Sequence, residues 1–314
     1  MSSPRSAMLL AVCSFLGASV TGARSSAAER APAPPREIAI WPGSPPGGAA
    51  VQVEETIVER STTPGLHDRV LMGIRRPRLS VYAPAKPDGS AVLILPGGAY
   101  QRVAIDKEGD ETARRLSARG ITAAVLFYRL PGDGWAAARD APLQDAQRAI
   151  RLLRAGAAGP LDAARIGVLG FSAGGDLAAN LSLRPDAPTY EAVDSADRLS
   201  TRPDFAGFVY PGLHTLPAPD GKAVSLESLV NPATPPCFIL HAADDQSVPV
   251  AGSLSFFSAL KAANVPVEMH IFDEGGHGFG IRLVAGKPAE AWPDLFLRWG
   301  AQHHFFRGVS RQAR

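Results

Sequence analysis

The 314-residue sequence is 46% hydrophobic and 20% charged, ordinary proportions for a globular protein that buries one sizeable core. Its 32 Lys and Arg against 30 Asp and Glu leave a formal charge of +2, with the basic residues scattered rather than blocked. That balance gives no footing for nucleic acid or an acidic surface as a partner. Gly (31) and Pro (28) are abundant, so short elements should be joined by many tight turns.

The chain opens on a targeting pattern. Arg5 supplies a positive start, Met8 to Val20 is an apolar stretch broken by Ser14, Gly17 and Ser19, and Thr21-Gly22-Ala23 and Ser26-Ala27-Ala28 offer small-residue cleavage sites. Residues 1–28 therefore read as a signal peptide whose apolar run is too short to span a bilayer, and predict a secreted or periplasmic protein. With that leader removed, Cys237 is the one remaining thiol, which excludes an intramolecular disulfide. It sits in Cys237-Phe238-Ile239-Leu240 and reads as a core residue. Residues 29–50, rich in Ala, Pro and Gly, read as a linker leading into a folded domain over 51–314.

From residue 51 strand-like and helix-like patterns alternate. Val51 to Glu59 and, more weakly, Arg78 to Tyr82 alternate with period two, and Ala91 to Leu95 is a continuous apolar run. Asp106 to Ala118 has helical spacing and stops at Gly120, Ile121 to Phe127 reads as a strand, and Pro142 to Ala155 as a helix whose Leu143, Ala146, Ala149, Ile150 and Leu153 share a face. Further strands are expected at Ile166 to Leu169, Phe205 to Tyr210, Phe238 to Leu240 and Val265 to Phe272. Helices are expected at Asp176 to Leu183, Val250 to Ala263 and Ala289 to Phe306. Fully apolar strands between amphipathic helices imply an α/β architecture, a mostly parallel central sheet with helices on both faces. Ligands of such sheets bind in the loops after the strand ends.

Those loops hold the chemically informative residues. Gly170-Phe171-Ser172-Ala173-Gly174 lies between a strand and a helix, where a serine on a sharp turn projects its hydroxyl and the helix N-terminus offers the Ala173 N–H to a developing oxyanion. Asp245 follows a strand and precedes a helix, placed to orient a histidine, with Asp244 as its rival. His277, in Gly275-Gly276-His277-Gly278-Phe279, follows the last strand and is a natural base for a serine hydroxyl. Pro96-Gly97-Gly98-Ala99-Tyr100, directly after the apolar run, can supply further oxyanion donors through the Gly98 and Ala99 N–H groups. No Cys/His spacing suggests zinc. His241 and His270 fall on strands and read as structural, and His303-His304 as surface or packing residues.

Together these residues resemble the α/β-hydrolase superfamily, and within it the bacterial esterases of the acetylxylan-esterase-like and hormone-sensitive-lipase-like group. The likeness spans roughly residues 38–307 and rests on Leu95 to Tyr100, Lys107-Glu108-Gly109, Phe127 to Leu130, Gly170 to Gly175, Asp245 to Pro249 and Gly276 to Phe279. It implies the α/β-hydrolase fold, Ser172 as nucleophile, His277 as base and Asp245 as triad acid, because the family pattern is Asp, two residues, then Val-Pro. Pro96 stands where lipase-like relatives carry His, Ala99 where the carbohydrate-esterase branch has a third glycine, and Phe171 where the lipase-like group has an acidic residue. Pro96 and Phe171 favour the carbohydrate-esterase branch, from which Ala99 departs. The expectation is a serine esterase that needs no cofactor or metal and removes acetate-sized acyl groups from a small molecule or from a polysaccharide such as xylan. No nucleic-acid partner or stable membrane insertion is expected, and the oligomeric state is open. Segments 184–204 and 211–236 are expected to wall the pocket. The rivals are a prolyl-oligopeptidase-type peptidase, which would normally carry a large propeller; a glycosidase, which needs a carboxylate pair that nothing singles out; and a carbohydrate-binding protein with a vestigial site.

Overall fold

The structure, a computed structural model, describes residues 34–214, 216–217 and 223–307; the leader assigned to 1–28 lies outside them. Thirteen strands are described: β1 (Arg36–Ala39), β2 (Thr56–Glu59), β3 (Arg69–Met72), β4 (Arg78–Tyr82), β5 (Ala91–Leu95), β6 (Val103–Ala104), β7 (Thr122–Phe127), β8 (Ile166–Phe171), β9 (Ala206–Val209), β10 (Leu216–Pro217), β11 (Ala223–Val224), β12 (Cys237–Ala242) and β13 (Val267–Phe272). The helices are α1 (Glu111–Ser117), α2 (Ala141–Arg154), α3 (Ala173–Leu183), α4 (Ala251–Ala262) and α5 (Trp292–Gln302). None among the described residues is long and apolar enough to cross a membrane.

Eight strands form one sheet in the order β1-β4-β7-β5-β8-β9-β12-β13. β7 through β13 run parallel, and β4 and β1 close one side antiparallel. The interior strands are apolar without alternation because both their faces are covered: every residue of β5, β7, β8 and β12 is buried. α2 and α3 pack on each other, and α3 lies along β8 and β9. α1 and α5 form a second group, tied by Arg115 to Asp294 at 2.7 Å. From α5, Trp292 meets Phe171 of β8 and Phe296 meets Phe205, just ahead of β9. The fold is that of the α/β hydrolases.

Three expectations need correction. Residues 36–41 are not linker: β1 pairs with β4, and Ile40 and Trp41 are buried. Their Ala/Pro/Gly-rich surroundings hide a strand whose hydrogen bonds come from a partner about forty residues on. The period-two stretch from Val51 yields only β2, fully exposed, in a separate β2-β3-β6 sheet. Of segment 184–204 only Arg184 walls the main cleft; residues 185–204 pack over α2, where Arg148 meets Asp194 and Asp197.

The topology fixes where chemistry can occur. The chain leaves β5, adds β7 on one side, then crosses back to place β8 on the other side of β5. The loops after β5 and β8 diverge at that switch point, and Leu95 and Gly170 are paired in register just before them.

Candidate active site

Ser172 joins β8 to α3 with φ 52° and ψ −118°, a conformation costly for any residue but glycine. The surroundings over-determine it: Ser172 N–H donates to the Val209 carbonyl at 3.0 Å, and its own carbonyl accepts from Gly175, Asp176 and Gly212. The helix can start this close to the sheet only because residue 174 lacks a side chain; a Cβ on Gly174 would lie 1.9 Å from the Leu95 carbonyl oxygen.

A chain of hydrogen bonds runs from that serine into the protein. Ser172 Oγ is 2.8 Å from His277 Nε2, and His277 Nδ1 is 2.7 Å from Asp245 Oδ2. The Asp245 side chain is fully buried, and its other oxygen accepts the Ser247 and Val248 N–H groups, both at 2.9 Å. The turn after β12 thus satisfies one carboxylate oxygen with backbone and leaves the other for the imidazole. Asp244 is exposed and turns the other way, accepting the Gly276 N–H at 2.7 Å.

The loop after β5 curls through left-handed backbone at Gly98, Ala99 and Tyr100. A Cβ at Gly98 would fall 2.1 Å from the Arg102 carbonyl oxygen, so the turn demands glycine there. The Gly98, Ala99 and Ala173 N–H groups have no acceptor among the described residues, and all three residues line one cleft with Ser172 and His277. That cleft has a volume of about 960 Å³ and is walled further by Tyr100, Leu143 and Leu229. An acyl oxygen near Ser172 Oγ would meet unspent donors there, the arrangement that stabilises a tetrahedral oxyanion.

The sequence motifs leave three residues of this site unassigned. Asp106–Asp110 forms a turn of π-helix ahead of α1, and it turns the buried Glu108 towards the loop after β5. Glu108 Oε2 accepts the Gly97 N–H at 2.6 Å, and Oε1 accepts the Tyr210 hydroxyl at 3.0 Å. Tyr210, at φ 38°, packs its ring edge-on to His277 and takes the Gly280 N–H on its hydroxyl. Burial, more than the nearby Glu108 charge, pushes its hydroxyl well up, so it stays a neutral donor. The third is His241, fully buried, whose Nε2 lies 3.2 Å from Asp245 Oδ2 and 3.0 Å from the Val248 carbonyl, with Ser253 Oγ on Nδ1. Burial holds its imidazole below the ordinary value, so the ring is neutral and its Nε2–H is the donor. The Lys-Glu-Gly stretch and the histidine four residues before Asp245 were the available signals for two of these. Tyr210 had none, because its contacts come from distant segments.

Known proteins resemble this chain in sequence and in fold. The BD-FAE family matches residues 79–200, and the prolyl oligopeptidase family matches residues 218–294. The acetyl ester-xyloside bifunctional hydrolase from Caldicellulosiruptor lactoaceticus superposes with a TM-score of 0.65 at 32% identity, covering 85% of this chain and 100% of that one. An acetylxylan esterase of Xylanibacter ruminicola is 30% identical over 214 residues, 64% of this chain and 43% of that protein. An endo-1,4-beta-xylanase B of Butyrivibrio fibrisolvens is 30% identical over 207 residues, 60% of this chain and 32% of that protein. The chain therefore spans less than half the length of either curated relative. It belongs to the esterase group of the α/β hydrolases.

Proposed function

We propose that this chain is a secreted or periplasmic carboxylic-ester hydrolase that removes acetate-sized acyl groups from a carbohydrate, through Ser172, His277 and Asp245. The observation that carries the reading is the unbroken hydrogen-bond chain from Ser172 Oγ through His277 to Asp245, opening on a cleft with unspent N–H donors. His277 Nε2 takes the serine proton as Oγ attacks the ester carbonyl. Asp245 holds the ring and stabilises its positive charge, and the Gly98, Ala99 and Ala173 N–H groups take the oxyanion. The alcohol leaves with the proton from His277, and water releases the acid by the same steps. The acetyl-ester and xylan terms in the relatives' names support the substrate class, and the leader pattern at the N-terminus supports export.

Hydrolysis of p-nitrophenyl acetate and butyrate by the wild type and by Ser172→Ala tests the reaction. Nitrophenol release that depends on Ser172, faster with acetate, is expected; release that survives the substitution removes the reading. Acetate released from acetylated xylan then tests the polymer. The prolyl oligopeptidase match over 218–294 favours one second reading, amide cleavage by the same three residues. Turnover of a prolyl anilide with no turnover of the esters would select it.

A further inference from the structure

The cleft around Ser172 is lined by the cations Arg60, Arg102, Lys107, Arg139 and Arg184. Of the carboxylates that also line it, two are held by neutral donors inside the protein. Glu108 takes the Gly97 N–H and the Tyr210 hydroxyl, and Asp176 takes the Tyr100 hydroxyl and the His214 N–H. Asp140, the third, faces Arg184 at 3.9 Å. The lining thus carries five cations against three carboxylates.

Two cations carry this imbalance, and one short stretch of chain holds both. Arg102 is half-buried directly after the loop that bears Gly98 and Ala99, and its Cγ lies 2.9 Å from the point where a Cβ of Gly98 would stand. Among the described residues no carboxylate lies within 4.0 Å of its guanidinium. Lys107 follows β6 and leads into Glu108. Its side chain is only 14% exposed; the one carboxylate within 4.0 Å of it among the described residues is Asp68, at 3.9 Å, and Glu108 Oε1 lies 3.9 Å from the point where a Cβ of Gly278 would stand, a point the ammonium also approaches. Asp68 is already bound by Arg60 at 2.9 Å and approached by Arg282 at 3.8 Å. The Lys107 ammonium lies 3.7 Å from where a Cβ of Gly278 would stand, beside His277. One cation thus flanks the oxyanion loop and the other flanks the histidine loop. Withdrawing a charge from water without a partner is costly, and a bound anion removes that cost.

We propose that the ester taken by this site carries a carboxylate, held by Arg102 and Lys107 beside the scissile bond. The inference rests on the hydrolase reading above and narrows its substrate to a charged ester. A guanidinium fork and one ammonium suit a single monoanion. The carboxylate can belong to the alcohol, as in a uronic acid unit, or to the acyl group, as in a half-ester of a dicarboxylic acid.

Matched ester pairs test this and separate the two sources. 4-Acetoxybenzoate against its methyl ester places the charge on the alcohol side. Phenyl hydrogen adipate against methyl phenyl adipate places it on the acyl side. In one pair, after correction for hydroxide-catalysed rates, kcat/KM of the charged ester should exceed that of the neutral one about tenfold, the scale of one charge-assisted hydrogen bond. The preference should shrink with added salt. Arg102→Gln and Lys107→Gln should each bring the ratio towards one, and Arg102→Lys should keep most of it. The ratio is internal to each variant, so partial unfolding does not imitate the result. Equal kcat/KM in both pairs, or a preference that survives both glutamine substitutions, overturns the proposal. Turnover of the neutral esters that does not depend on Ser172 would instead remove the hydrolase reading beneath it.

Discussion

The Glu108 carboxylate and the Gly97 N–H meet at 2.6 Å in a buried setting, one residue ahead of Gly98 and Ala99, which line the cleft with Ser172. Through its second oxygen the same carboxylate reaches Tyr210, whose hydroxyl takes the Gly280 N–H of the loop that carries His277. One side chain therefore links the loop after β5 to the loop that carries His277. Glu108→Ala should lower kcat on p-nitrophenyl acetate by ~10- to 100-fold, less than outright loss of an oxyanion donor at the upper end, with a smaller change in KM. Glu108→Gln should recover part of the loss, since its amide oxygen can still accept one of the two bonds. Rates per active site, counted by a covalent serine titrant, separate this from a smaller folded fraction. An unchanged kcat per titrated site would show that the loop holds its shape without the carboxylate.

Adjacent acids at the end of β12 give a second test. Asp245 is buried with one oxygen on His277, whereas Asp244 is exposed and accepts a loop N–H. Asp245→Asn keeps the shape but cannot favour the imidazolium, and kcat should fall by roughly 10⁴-fold. Asp244→Asn should cost only a few-fold, because one backbone bond to Gly276 is weakened and no charge at the histidine is lost. Steady-state rates of both variants decide the matter, and equal losses would mean that the loop geometry matters more than the charge on His277.

Acid sensitivity should be traceable to His241. Burial lowers its folded value beneath the 6.5 of an ordinary imidazole, so in acid the unfolded chain takes up a proton that the native state refuses. Stability from this group is complete above about pH 6.5 and declines as the pH falls below it, because the unfolded state then binds more protons. His241→Gln can keep the bonds to Asp245 and Ser253 without titrating. Urea unfolding at pH 7.5 and 5.5 should show the wild type losing more stability on acidification than the variant. His214, raised chiefly by its hydrogen bond to Asp176, acts with the opposite sign but is common to both proteins. Parallel losses in the two would exclude His241 as the source.

Much of the frame is written locally. β5, β8 and β12 are apolar runs because they are buried on both faces, and that pattern survives in a single sequence. The three residues in the hydrogen-bond chain stand just after strands, each in a distinctive setting: Gly-x-Ser-x-Gly, Asp-x-x-Val-Pro and Gly-His-Gly. What was not legible depends on distant partners. Arg36–Ala39 is a strand because β4 offers it hydrogen bonds, although its Ala/Pro/Gly-rich surroundings read as linker. Glu108 and Tyr210 matter through contacts with residues 97 and 280, which no local spacing encodes. Residues 185–204 looked like a pocket wall for want of any signal that Arg148, Asp194 and Asp197 would bind them to α2.

The segment misread as linker also supplies the last prediction. Arg129 and Asp145 are both fully buried and meet at 2.9 Å, while the Arg129 N–H donates to the same carboxylate. Trp41 donates its indole N–H to Asp145 at 2.7 Å, and Arg129 donates to the Pro46 carbonyl at 2.6 Å. Residues 41–46 are thus latched onto the start of α2 through one buried ion pair. Replacing both charges together by well-packed apolar groups could be neutral, but removing one leaves the other buried and uncompensated. Asp145→Asn should therefore destabilise by ~3–5 kcal/mol. Trp41→Phe, which keeps a ring and loses one hydrogen bond, should cost roughly 1–3 kcal/mol. Urea midpoints at neutral pH measure both, and the two losses should not add, because each substitution breaks the same cluster. Strict additivity, or an Asp145→Asn loss no larger than that of Trp41→Phe, would mean that Arg129 finds another partner once the carboxylate is gone.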